Sequence, residues 1–209
     1  MTTPVSKRDG EATRQRLLRA ALELYTTVGF LGTTTPAIAQ KAGVAEGTIY
    51  RHFIGKEHLL NEVYRGSLRW GGKLLKELDL DKGLRAPERL MQLARLLLST
   101  AERDPALPRM LLQTREEQHL DEKSREAAKE FREALQQIVA MGKSDGQVRP
   151  GPAELWAAVW LALVAFAVER VCSKEWTPDH PQVGLALEAA WDAIAVRAPA
   201  PSSTPPVNG

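Results

Sequence analysis

Residues Thr33 to Phe53 read TTTPAIAQKAGVAEGTIYRHF, and the punctuation of this stretch decides the fold. Three threonines ahead of Pro36 mark a helix start. The spacing predicts Thr35 as the capping hydroxyl and Pro36 as the first helical residue, where a missing N–H leaves no bond unmade. Ile38, Ala39 and Ala42 then share one face, and Ala39 is small enough for a second helix to pass closely. Gly43 ends the helix, because glycine enters the left-handed region without strain. Val44 turns inward, and a second short helix from Ala45 or Glu46 offers Ile49 and Phe53 to a core. Two short helices across a glycine-containing turn make a helix-turn-helix.

With Ile49 and Phe53 inside, Glu46, Gly47, Thr48, Tyr50, Arg51 and His52 are left on the outward face. Gly47 lets a backbone approach. Thr48, Tyr50 and His52 are neutral donors suited to phosphate oxygens, and Arg51 adds a charge. Lys56 stands at the start of the following helix, where free N–H groups and the dipole favour an anion. Such a face suits docking in a DNA major groove. An ordinary helical hairpin with solvated polar residues would show the same generic pattern.

The whole chain of 209 residues is 44% hydrophobic and 26% charged, which suits a globular protein with a sizeable core. One cysteine, Cys172, excludes an internal disulfide and a cysteine-cluster metal site, and fits a reducing cytoplasm. The N-terminal MTTPVSKRDGEATRQ lacks the apolar run of a signal peptide. Residues 1–56 hold eight basic and four acidic side chains, whereas the rest holds twenty basic and twenty-two acidic. That asymmetry favours a polyanionic partner at the N-terminal end. The stretch LWAAVWLALVAFAV, Leu155 to Val168, is fourteen residues long and is closed by Glu169 and Arg170. Spanning a bilayer takes about 20 apolar residues, so burial within protein is expected and no membrane partner.

Period-two patterns are nearly absent and 3.6-residue periodicity recurs, so the fold class expected is all-α, with about nine helices in two parts. A first helix capped by Asp9 carries Leu17, Leu18, Ala21, Leu22 and Tyr25 and ends near Gly29. A helix from Lys56 carries Leu59, Leu60, Val63, Tyr64 and Leu68, with a bend or an end at Gly71-Gly72. Pro87 opens a helix whose buried face is Leu90, Met91, Leu93, Ala94, Leu97 and Leu98. Met110 to Gln118 is a short candidate, and a charged helix runs from Asp121 to about Met141. Loops at Ser144–Gly146 and Pro150–Pro152 precede two apolar helices, Ala153 to Ser173 and His180 to Val196. The tail, Ala198 to Gly209, is Pro/Ser-rich and expected to be disordered.

From Arg14 to Leu60 the chain closely resembles the DNA-binding domain of the tetracycline-repressor (TetR) family. The matching residues are Gly29-Phe30, Thr34-Thr35, Ile38-Ala39, Ala42-Gly43-Val44, Gly47-Thr48-Ile49-Tyr50, His52-Phe53, Lys56-Glu57 and Leu59-Leu60. The resemblance implies phosphate roles for Thr35, Tyr50, His52 and Lys56, and places Glu46, Gly47 and Thr48 nearest base edges. Two positions depart from the family's pattern. Ala45 replaces the usual hydroxyl or acidic cap, and Pro36 stands where some members read a base. Glu46 could accept from a cytosine amino group or help cap its helix.

The resemblance further implies a flexible arm at 1–10, a helix-turn-helix domain at 11–56, a helical effector-binding and dimerisation domain at 57–197, and the tail at 198–209. Its function would be sequence-specific transcriptional regulation, with repression released by a small molecule. The terminal helices support a homodimer interface at Trp156, Trp160, Leu163, Leu187 and Trp191, with the alternative that they form an internal core. Pocket candidates for an apolar or amphipathic effector are Trp70, Met91, Leu98, Met110, Gln113, His119, Phe131 and Phe166, each equally a plain core residue. The partners implied are a double-stranded DNA operator, a second copy and that effector. The four histidines show no metal-ligand spacing and no nucleotide-binding or nucleophile motif occurs, so neither an enzyme nor a cofactor is expected. The rivals are a helical protein-interaction module and an activator of the same family without small-molecule input.

Overall fold

The structure is a computed structural model that describes residues 7–80, 83–113 and 117–196. Of the flexible arm expected at 1–10, residues 1–6 lie outside the described residues and 7–10 already belong to the first helix; the tail expected at 198–209 lies wholly outside them. Within them the chain folds as nine α-helices and two 3₁₀ turns.

Helix α1 (Lys7–Thr27) buries Leu17, Ala21 and Tyr25 as the stripe requires, with Leu18 and Leu22 half-buried beside them. Asp9 lies in its first turn, not at its cap, and there the carboxylate faces the positive end of the helix. Helix α2 (Thr35–Ala42) packs against α1 and buries Ile38, Ala39 and Ala42, and a 3₁₀ turn at Glu46–Thr48 leads into the short α3 (Ile49–His52). Helix α4 (Lys56–Leu80) follows. The body adds α5 (Ala86–Arg103), α6 (Ala106–Gln113), a second 3₁₀ turn at Glu117–His119, α7 (Glu122–Ser144), α8 (Ala153–Cys172) and α9 (Pro181–Asp192). Buried residues from Leu17 to Ile194 form one hydrophobic cluster, so the two parts share a continuous core.

Gly71-Gly72 does not end α4, which runs 25 residues through both. A Cβ at Gly71 would lie 2.8 Å from Leu111 Cδ2 and 2.9 Å from Phe131 Cε2, so this glycine lets α6 and α7 close on α4. Tertiary packing overrides the poor helix propensity of the pair. Helix α6 begins four residues before the expected Met110, and Pro108 fits because a first-turn N–H has no intrahelical partner to lose. Helix α9 stops at Asp192 because the chain beyond pairs with the α7–α8 loop. Val148 bridges Ala195, Arg149 N–H donates to Ile194 O (2.9 Å), and Val196 N–H donates to Gln147 O (2.9 Å).

Candidate nucleic-acid interface

The cap of α2 is Thr34 rather than Thr35. Its extended backbone lets Thr34 Oγ1 accept from the Ala37 N–H at 3.3 Å. The register thus moves by one, and Thr35 becomes the first helical residue with its hydroxyl directed outward. Thr35 Oγ1 lies 3.4 Å from Glu46 Oε1 and 3.4 Å from Tyr50 OH. One cluster therefore joins α2, the 3₁₀ turn and α3. Gly43 closes α2 at φ 66°, with Gly43 N–H donating to Gln40 O (3.1 Å) and Val44 N–H to Ala39 O (3.0 Å).

Ala45 offers no side-chain cap, and the second helix opens as a 3₁₀ turn closed by Thr48 N–H on Ala45 O at 2.9 Å. Glu46 spends its carboxylate on Thr35 across the turn and does not cap its own helix. Ile49 and Phe53 are fully buried and anchor α3 from below. Above them Tyr50 is 56% exposed, Glu46, Gly47 and Arg51 are exposed, and Thr48 and His52 are half-buried. A Cβ at Gly47 would meet nothing within 4 Å, so the space in front of this turn is open.

Lys56 is placed differently from an unattached phosphate-binding lysine. Its Nζ donates to Thr33 O at 2.7 Å and lies 4.2 Å from the centre of the Phe30 ring. That leaves two of its three N–H groups for an anion. The same Phe30 ring lies 4.4 Å from the ring of His119, whose Nδ1 is 2.8 Å from Glu57 Oε1. His119, expected in an effector pocket, thus belongs to the junction between the 3₁₀ turn before α7 and the start of α4.

Two residues near this face escaped the sequence reading. Arg16 of α1 reaches over the turn, its Nη1 4.0 Å from where a Gly43 Cβ would stand. Ile54 is 90% exposed beside α3, and its N–H donates to His58 Nδ1 at 3.1 Å. Arg16 lies outside the helix pair in sequence, and an isolated apolar residue in a turn carries no periodic signal.

Two carboxylates tie the helix-turn-helix to the body. Glu62 accepts from Arg65 at 2.6 Å and also pairs with Arg14, and these hydrogen bonds, Arg65 foremost, hold its carboxyl below the usual range. Arg65 reaches on to Asp121 at 2.8 Å, and Arg19 of α1 pairs with Asp104 after α5 at 2.5 Å.

The expected effector residues do not converge. Leu98, Met110 and Phe131 are buried, Trp70 and Met91 are half-buried, and Phe166 is 48% exposed. The side chain of Gln113 lies outside the described residues. Met91 and Leu98 border a cleft between α5 and α9, whereas Phe131 borders another between α4 and α7. The expected dimer residues also divide. Trp160 and Leu187 are buried inside the chain, and Trp156, Leu163 and Trp191 are half-buried. The exposed apolar face of α8 is instead Leu155, Ala158, Ala162 and Phe166, with Leu185 exposed on α9. Helix α8 is long and apolar enough to cross a membrane, and it packs here against α5, α6, α7 and α9. Among the described residues no group of three metal-ligating side chains comes together.

Residues 17–63 match the family model for bacterial regulatory proteins of the tetR family. The HTH-type transcriptional regulator SrpR of Pseudomonas putida is 46% identical over 55 residues, 26% of each chain. The HTH-type transcriptional repressor KstR2 of Mycobacterium tuberculosis is 39% identical over 57 residues, 27% of this chain and 28% of its own. The matched segment therefore spans about a quarter of these relatives' length. Over nearly the whole chain the fold matches a TetR family transcription regulator from Marinobacter aquaeolei, with TM-score 0.76 and 22% identity, covering 91% of this chain and all of that one. The regulator FadR of Bacillus subtilis, solved with stearoyl-CoA, matches at TM-score 0.65 and 22% identity, covering 87% of this chain and 99% of its own.

Proposed function

We propose that this chain, with its TetR-family helix-turn-helix and that family's fold, is a transcriptional regulator that binds a palindromic DNA operator as a homodimer. The observation that carries this is the Thr35–Glu46–Tyr50 cluster, which joins α2 and the 3₁₀ turn to α3, itself anchored in the core by Ile49 and Phe53. A rigid platform with neutral donors and an open approach at Gly47 suits phosphate contact at Thr35, Tyr50, His52 and Lys56 and base contact at Glu46, Gly47 and Thr48. Arg51 adds long-range attraction. The second copy docks through the apolar face of α8 and Leu185. Repression follows, because a dimer seated on a promoter blocks access without further contacts. Release comes from an apolar or amphipathic molecule bound in the helical body, which FadR's complex with stearoyl-CoA makes a reasonable expectation for this fold. The protein works in the cytoplasm, as a DNA-binding regulator and not as an enzyme.

The test is selection of binding sites from random duplexes, then titration of the winning sequence over a salt series. Recovered sites should be palindromic with half-sites about 34–36 Å apart, and affinity should fall steeply as salt rises. Recovery of no preferred sequence, or binding indifferent to salt, would sink the proposal.

A further inference from the structure

Between α5 and α9 the surface opens into two adjoining clefts of about 710 and 490 Å³, which share Met91, Arg95 and Glu188. Volumes of this order hold small molecules. The apolar wall is built by both helices: Met91 and Leu98 from α5, and Val183, Leu187 and Trp191 from α9. The charges are one-sided. Glu88, Glu188 and Asp192 gather at the end where α5 begins and α9 finishes, Asp179 stands at the other end, and Arg95 is the only Lys or Arg lining either cleft. None of the three gathered carboxylates takes part in an ion pair among the described residues, and Arg149 donates from Nη2 to the Asp192 carbonyl at 2.7 Å rather than to its carboxylate. Trp191 stands among them, half-buried, and the face of an indole ring attracts cations.

We propose that this groove binds a cationic amphipath, a lipophilic ammonium compound. Its head sits among Glu88, Glu188 and Asp192 against Trp191, and its tail lies along Met91, Leu187 and Val183 into the second cleft. An anionic amphipath would meet one guanidinium and four carboxylates. Binding rests on the groove alone; only its use as a release signal rests on the regulator function proposed above.

The experiment uses the full chain without DNA, titrated by calorimetry with dodecyltrimethylammonium below its micelle concentration. Laurate and dodecyl maltoside serve as the anionic and neutral probes with the same tail. The ammonium should bind saturably, one per chain, about tenfold or more tighter than either comparison. The triple variant Glu88→Gln, Glu188→Gln, Asp192→Asn changes exposed side chains, so it should fold normally by circular dichroism. It should lose about tenfold for the ammonium and keep its affinity for the maltoside. Arg95→Gln should strengthen ammonium binding. Equal affinity for all three probes, or a triple variant that retains ammonium affinity, would overturn the proposal. Because DNA is absent, a failed operator titration would count against the regulator function and leave this site standing.

Discussion

Replacing Gly71 with alanine should cost stability, while the same change at Gly72 should add it. The Gly71 methyl would sit under 3 Å from Leu111 and Phe131, and overpacking of this kind typically costs about 1–3 kcal/mol. At Gly72 nothing lies within 4 Å, so the gain is the helix preference of alanine, about 0.5–1 kcal/mol. Urea melts of the two variants should move in opposite directions, and a parallel loss would show that α4 needs a flexible pair there. The threonines divide in the same way. Thr34→Ala removes the cap and should cost about 1 kcal/mol, whereas Thr35→Ala should leave the melt unchanged and weaken binding to operator and random DNA alike. At this scale the sequence showed which residue types mattered and missed their register by one. Thr34 and Thr35 are equally good caps, and the outcome depends on which hydroxyl can meet Glu46 and Tyr50 across the turn. Likewise the glycine pair reads as a weak point until Leu111 and Phe131, some forty and sixty residues away, are brought against it.

Helix α4 carries the helix-turn-helix and the body on one rod, and its ties to both are polar. Asn61, 3% exposed, donates from Nδ2 to Glu57 O and to His119 O, and its Oδ1 accepts from the Asp121 N–H. Glu62 binds Arg65 and Arg14 beside it. Because its carboxyl is held below the usual range, Glu62 contributes stability that is fully present above the ordinary glutamate pKa of about 4.3 and is lost as pH falls through its lowered value. The gap in unfolding midpoint between the native chain and Glu62→Gln should therefore be widest at neutral pH and shrink below about pH 4. A gap constant from pH 7 to pH 3 would mean that the glutamine simply packs badly. None of this network shows in the sequence, where Glu62 and Arg65 are two charges on an exposed-looking helix. Helix α8 conceals its two sides for the opposite reason. It is apolar on every face, so periodicity could not separate the core side, with Trp160 and Val164, from the outer side, with Leu155 and Phe166.

For the whole molecule, the two faces of α8 make opposite predictions. Trp160 is 2% exposed inside the chain, and truncating it to alanine should cost about 3–5 kcal/mol and unfold or soften the fold. Leu155 and Leu185 stand 49% and 63% exposed on α8 and α9, so changing both to glutamate should leave the fold intact. If a second copy covers them, however, the pair of charges must be desolvated in the dimer, and sedimentation at micromolar concentration should find a monomer. DNA binding would then weaken for a reason remote from the helix-turn-helix. A dimer places its second recognition helix at millimolar effective concentration once the first is bound, and a monomer loses that advantage, about 10²–10⁴ in affinity. The doubly substituted protein should retain the salt slope of a single half-site and lose the preference for palindromes. A chain that stays dimeric with both glutamates in place would move the interface off this face. A monomer that still selects palindromic operators would show that pairing occurs on the DNA, through the helix-turn-helix domains themselves.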